Sequence, residues 1–279
     1  MINKRGAKNR LTSSWCTLGN VHFEWQSSLS NKTAMKNATK KNCPSQDIIL
    51  KLLHWNVGGL TQEKRVELLK ILHHYNVDVF TIVEANKSKV DIDKFKFPGF
   101  TVHILEKQRK VAGGILVGIK SSLTGQFSII KEMGNTVDKS EVTKTNVWKN
   151  GNSFKIFSVY NPPNNTPDTN FIPLIASKTI LVGDFNAHSK QWGYKNQNPA
   201  GTAIQYVLNT TNLELKYKSS DTNPDLLMVS SDINSNTKRK ILDDPGSGHR
   251  IMIAKILIQN RKTKIIKRFV KSSWNFKKS

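Results

Sequence analysis

The sequence predicts an α/β fold in which mixed β-sheets pack as a sandwich, and three observations predict it. Short apolar runs bounded by polar residues or glycine recur through the middle of the chain, among them DIILKLLHWN, VDVFTIVE, GGILVGI, SFKIFSVY, KTILVGD, DLLMVSS and RIMIAKILI. Helical spacing is clear at only two separated places, about 62–75 and 200–212. Strand and helix signals interleave irregularly, without the strict alternation of a doubly wound parallel sheet and without a repeat of fixed period. At 279 residues the chain is long enough for one large domain with a substantial core.

The elements follow in order. Residues 1–46 lack sustained periodicity and are rich in Ser, Asn, Thr and Lys, which reads as a flexible basic leader. Order begins at DIILKLLHWN, a buried strand ending at Asn56. Gly58 and Gly59 turn the chain, and Thr61 is placed to cap a helix whose stripe is Val66, Leu69 and Leu72, or Leu68, Ile71 and Leu72. VDVFTIVE gives a second strand, ending at Glu84. Several β-like runs lead to Tyr160, a Pro/Asn loop follows, and KTILVGD is a strand ending at Asp184. A helix near 200–212 is expected to pack Ala203, Ile204, Val207 and Leu208. DLLMVSS and RIMIAKILI are the last strands, for about nine strands and two helices in all. The apolar run at 113–119 is far shorter than the roughly 18–20 residues of a membrane span, so no membrane partner is expected.

The formal net charge of +23 is concentrated at the ends. Residues 1–46 carry eight Lys and Arg against Glu24, and 260–279 carry eight against none. Residues 47–259 hold 27 basic and 19 acidic side chains. Basic segments of this kind favour a polyanion, because lysine and arginine beside phosphates release counterions. Both cysteines, Cys16 and Cys43, fall in the leader, which excludes a disulfide framework and fits a reducing, intracellular setting. Cys16, His22 and Cys43 match no usual zinc spacing. With no GxGxxG and no P-loop, a nucleotide cofactor is unsupported.

Three apolar strands end on one polar residue each, Asn56, Glu84 and Asp184, and two begin beside one, Asp225 and His249. If the last two run antiparallel to the first three, all five groups meet at one sheet edge. Asp184 and Asn186, two apart, are expected to point to one side. Taken singly, each has an ordinary explanation as a turn, loop or backbone-satisfying residue. As a set, they are the parts of a phosphodiester hydrolase: carboxylates for Mg²⁺ and water, amides and an Asp-oriented His for phosphate oxygens.

The motifs HWNVGGL, TIVEA, SVYNPPNNTPD, ILVGDFNAHSKQWGY, NPDLLMVSSD and GSGHR stand in the order of those of the endonuclease/exonuclease/phosphatase superfamily. Over about residues 48–258 the chain most resembles the apurinic-type, jockey/R1-like endonuclease domains of non-LTR retrotransposons. The resemblance implies a DNase I-like four-layer α/β sandwich, two packed mixed β-sheets flanked by helices, over 47–259, with 260–279 a basic linker toward a missing reverse transcriptase. It implies Glu84 as principal Mg²⁺ ligand helped by Asn56, with Mn²⁺ as an alternative ion. Asp184 would align or activate the attacking water, Asn186 would hold the phosphate, and Tyr160 would contact phosphate or the leaving-group side. His249, oriented by Asp225, would hydrogen-bond a phosphoryl oxygen. DNA would be nicked on one strand to leave a 3′-hydroxyl that primes reverse transcription, in the nucleus, with the basic tails available to the element's RNA.

One departure bears on activity. Where such domains read Ser-Asp-His, this chain has Ser247, Gly248 and His249, and Asp243 and Asp244 are too far along the loop to be taken as substitutes. Arg250 is a further phosphate contact or a solvated rim residue, and the link at 215–224 is short. The alternative readings are a catalytically weakened DNA-binding remnant and another phosphoesterase of the same fold, such as an abasic-site endonuclease.

Overall fold

The computed structural model describes residues 48–108, 113–133, 137–217 and 225–258, with two-residue strands β1 (Cys16–Thr17) and β2 (His22–Phe23). The chain divides into two units, Met1–Ser45 and Gln46–Ser279. In the first, β1 and β2 pair antiparallel. The rest of the expected leader, including Cys43, the linker over 260–279, and 218–224 of the short link lie outside the described residues.

In the second unit twelve strands form two six-stranded sheets among the described residues, more than the nine expected. The first sheet contains β3 (Ile48–Asn56), β4 (Val79–Val83), β5 (Phe100–Leu105), β6 (Ile115–Lys120), β13 (Thr237–Ile241) and β14 (Met252–Ile258). The second contains β7 (Thr124–Lys131), β8 (Glu141–Lys149), β9 (Asn152–Tyr160), β10 (Thr179–Asp184), β11 (Leu213–Leu215) and β12 (Asp225–Ser230). Their orders are β13-β14-β3-β4-β6-β5 and β11-β12-β10-β9-β8-β7. Strands β11 and β13 have no counterpart among the expected runs, because β11 is only three residues long and β13, TKRKI, is largely polar.

The layers follow from residue alternation. Leu50 and Leu52 of β3 join Val79 and Val83 of β4 against Ile156 and Ile180 of the other sheet, forming a core between the sheets. The alternate residues Leu53 and Trp55 face outward onto Leu68 and Leu72 of helix α1 (Gln62–Tyr75). Leu181 and Phe157 face outward onto Ile204 and Val207 of helix α3 (Pro199–Thr210); short helices α2 (Lys89–Ile92) and α4 (Ser231–Asn234) complete the set. With both faces covered, the central strands read as continuous apolar runs. The architecture is the expected four-layer sandwich.

The helices refine the expected stripes. Thr61 caps α1, its side chain accepting from the Lys64 N–H, but Val66 is exposed and the buried residues are Leu68 and Leu72. Helix α3 starts at Pro199 behind the cap Asn198 and ends at Thr210. It buries Ala200, Gly201, Ile204 and Val207, leaving Ala203 and Leu208 partly exposed.

Candidate active site

Strand direction assembles the site. β3 and β4 are parallel, and Asn56 lies opposite Val83, so Glu84 follows beside Asn56. β10 is parallel to β9 and antiparallel to β12, which sets Asp184 opposite both Tyr160 and Asp225. β14 runs antiparallel to β3, bringing His249, just ahead of it, to the same edge. Gly183 permits the close strand approach at this end, since any Cβ there would collide with the Val159 carbonyl.

Asn56 joins the two sheets. Its Nδ2 donates to Glu84 Oε1 at 2.9 Å and to Asp184 Oδ2 at 2.8 Å, and its Oδ1 accepts from the Gly58 N–H at 3.0 Å. Asp225, fully buried, lies 3.5 Å from His249 Nδ1 and 3.7 Å from His54 Nε2. His54 Nδ1 is in turn 2.9 Å from Thr81 Oγ1. The Tyr160 hydroxyl donates to Glu84.

Asn186 behaves differently from the period-two expectation. β10 ends at Asp184, and Asn186 has a φ of +43°, so strand alternation does not extend to it. Its backbone N–H donates to Asp184 Oδ1 at 3.0 Å, while its Nδ2 donates to the Asn161 carbonyl at 2.8 Å. Asn198 braces this turn by donating to the Asn186 carbonyl at 2.8 Å.

The loop carrying His249 is held by two side chains. Asp244 accepts from the N–H groups of Gly246, Ser247 and Gly248 at 2.9, 2.8 and 2.8 Å, so its carboxylate organises the loop rather than standing in for the missing aspartate. Ser247 Oγ accepts from Trp55 Nε1 at 2.8 Å and the His249 N–H at 3.1 Å, and donates to the Asn56 carbonyl at 2.9 Å. Gly248 has a φ of +86°, and Arg250 is exposed.

Burial and mutual charge set the electrostatics. Burial and then the Asp225 charge push the Asp184 carboxyl up to about 6, against its hydrogen bonds from Asn186 and Asn56. Burial would also raise Asp225, but hydrogen bonds from His249 and His54 hold it below the ordinary carboxylate value. The Asp225 hydrogen bond raises His249 despite partial burial, aided by the charges of Asp225, Asp184 and Glu84. Burial, followed by the Glu84 and Asp184 charges, drives Tyr160 far up, so its hydroxyl stays protonated at neutral pH. Asp184, Asp225 and His249 each offer a ligand atom, all within 4.8 Å of one another, and this group is able to hold a metal ion.

All the residues singled out in the sequence lie along this edge, whereas His54, Glu141, Asn161 and Ser247 take part without having been singled out for it. His54 and Glu141 are buried polar groups on strands; His54 opens the HWNVGGL motif, whereas nothing in the local sequence marks Glu141. Ser247 carried a signal as the second residue of the GSGHR motif.

Residues 154–253 match the family model described as endonuclease-reverse transcriptase. The endonuclease domain of TRAS1, a telomere-specific non-LTR retrotransposon, superposes with a TM-score of 0.59 at 16% identity, covering 75% of this chain and 98% of that one. The chain is thus similar to that family over residues 154–253 and shares the fold of the TRAS1 endonuclease domain. Two further structures share the fold. A humanized D. rerio TDP2 gives a TM-score of 0.52 at 14% identity, over 75% of this chain and 98% of that one. An AP endonuclease from Archaeoglobus fulgidus gives 0.50 at 13%, over 74% and 98%. No curated protein matches the sequence. Among the described residues no helix is long and apolar enough to cross a membrane.

Proposed function

We propose that this chain is a divalent-metal-dependent endonuclease that nicks one strand of DNA and leaves a 3′-hydroxyl, as in priming reverse transcription of a retrotransposon. The observation that carries the reading is the Asn56 bridge between Glu84 and Asp184, set beside the Asp225–His249 pair. The donor set suits a hard cation. Two carboxylates share one amide, and Asp184 is held up to about 6 by burial and the neighbouring Asp225 charge, a surplus of negative charge that a divalent ion offsets. Glu84, partly exposed, is the ligand we assign first; Asn56 reaches the ion only if Oδ1 leaves the Gly58 N–H. When bound, Mg²⁺ or Mn²⁺ supplies neutralisation of charge developing on the phosphate.

The chain's own residues supply the rest. Asp184, ionised above about pH 6, accepts a proton from the attacking water, and the Asn56 and Asn186 hydrogen bonds fix its two oxygens. Water attacks phosphorus, the P–O3′ bond breaks, and the products are a 3′-hydroxyl and a 5′-phosphate. His249, whose charged form the Asp225 hydrogen bond favours, donates to a non-bridging oxygen. Tyr160 donates only, toward Glu84 or the leaving-group side. DNA affinity is assigned largely to the basic segments 1–46 and 260–279, flanking a domain over 47–259.

A second reading, a weakened DNA-binding remnant, is favoured by Gly248 and by Asp244 being committed to backbone amides. Supercoiled plasmid incubated with the protein and Mg²⁺, with EDTA and Asp184→Asn as controls, separates the two. EDTA-sensitive conversion to open circle supports the endonuclease; none above the variant's background leaves the remnant. A preference for an oligonucleotide carrying an abasic site would move the assignment to that phosphoesterase class.

A further inference from the structure

Glu84 sits on strained backbone. Its φ is +51° and that of Asn86 is +54°, left-handed conformations that non-glycine residues hold only when their surroundings over-determine them. Two segments grip this turn. On one side the Glu84 and Ala85 carbonyls accept from the Gly59 and Leu60 N–H groups at 2.8 and 3.0 Å. On the other, the Ala85 and Asn86 N–H groups donate to the Gly114 and Gly113 carbonyls at 3.1 and 3.0 Å.

The second grip is anchored from the other sheet. Glu141, first residue of β8 and fully buried, accepts from the Gly114 N–H through Oε2 at 2.8 Å. A Cβ at Gly113 would come within 2.9 Å of Glu141 Oε1, so the glycine lets the carboxyl group close on the turn. Glu141 also stands opposite Tyr160 across β8 and β9, and Tyr160 holds the Glu84 carboxylate. The contacts form a ring from Glu141 through Gly114 and Ala85 to Glu84, and back through Tyr160. An apolar residue would fill the Glu141 position at lower desolvation cost but would leave the Gly114 N–H without an acceptor.

We propose that Glu141 is a positioning residue for Glu84, acting as the buried acceptor that fixes Gly113 and Gly114 and, through their carbonyls, the turn that aims the Glu84 carboxylate. The proposal rests on the assignment of Glu84 to the metal, and its test keeps the two apart. Mn²⁺ binding to the full chain is measured by calorimetry for wild type, Glu141→Leu and Glu141→Gln, alongside hydrogen exchange at Ala85 and Asn86. Gln keeps an acceptor oxygen for Gly114; Leu fills the volume without one. Leu is expected to weaken Mn²⁺ binding at least about 10-fold and to speed exchange at the two amides by a similar factor, with Gln within about 3-fold of wild type on both. A purely structural role would lower thermal stability in both variants and leave the affinity for Mn²⁺ unchanged. Unchanged affinity in Leu, or Gln as impaired as Leu, overturns the positioning role while the metal assignment stands. Should Leu not fold, Gln carries the test through exchange alone: Ala85 and Asn86 less protected than in wild type would overturn the acceptor role. Wild type that binds no Mn²⁺ overturns the metal assignment and the proposal with it.

Discussion

Replacing Asp184 with Asn tests the electrostatics of the site independently of any substrate. In the fold this carboxyl titrates near 6, against an ordinary 3.8, because burial and Asp225 oppose its charge. An acid whose pKa is raised by folding contributes stability that is full below the unfolded pKa and lost as pH rises through the folded one. The loss here is at most about 3 kcal/mol, of which roughly 2 kcal/mol falls between pH 4.5 and 8. The amide introduced by Asp184→Asn carries no such titration. It keeps one of the two hydrogen bonds, to the Asn186 N–H or from Asn56, and sets its NH₂ against the other donor at a pH-independent cost of about 1–3 kcal/mol. The stability of the variant relative to wild type is therefore expected to improve by about 2 kcal/mol from pH 4.5 to 8, about 4–8 °C in Tm for a domain of this size. Thermal melts in EDTA across this range measure the difference. A gap between the proteins that stays flat or widens against the variant with rising pH would refute the reasoning. Nicking by the variant is expected to fall by about 10²-fold or more, so the two readouts move oppositely at pH 8.

Other perturbations address the remaining parts. Ser247→Ala removes an acceptor for Trp55 Nε1 and the His249 N–H and is expected to cost about 1–3 kcal/mol in urea unfolding; under about 0.5 kcal/mol would mean Ser247 does not hold the loop. Gly248→Asp meets open space but a φ of +86°, so a cost of about 1 kcal/mol is expected together with faster nicking; an unchanged rate would make the departure from Ser-Asp-His harmless. Asn56→Ala leaves Glu84 and Asp184 unbridged, and nicking at fixed Mg²⁺ is expected to drop at least about 10-fold, checked on supercoiled plasmid. Deleting 1–46 and 260–279 removes sixteen Lys and Arg and is expected to flatten the dependence of DNA binding on salt; equal slopes would return both segments to solvent.

Much of the site was legible because strands covered on both faces are written in apolar letters, so a polar residue at the end of such a run stands out. Asn56, Glu84 and Asp184 were visible this way, and the antiparallel pairing of β12 and β14 then supplied Asp225 and His249. What stayed hidden is polar chemistry placed where local rules do not look for it. His54 occupies an interior position of β3, with Nδ1 2.9 Å from Thr81 Oγ1 on the adjacent β4 and Nε2 3.7 Å from Asp225 of the other sheet. Glu141 opens the polar-looking run EVTKT, yet it is fully buried because it closes on two glycines remote in sequence. Asn186 escaped the alternation argument because the chain turns left-handed two residues past Asp184.

These exceptions share a physical character. Each lies where the backbone leaves the regular pattern or where a buried polar group is satisfied from another strand, and both conditions raise the free energy of the fold locally. Asp184 makes the same point through its charge: burial and the nearby Asp225 carboxylate leave it a weaker acid than its hydrogen bonds alone would make it. A sheet edge that holds Glu84 and Asn186 in left-handed conformations and crowds carboxylates around one amide is costly as scaffold, and the proposed binding of a divalent cation and a phosphate would make the same arrangement favourable.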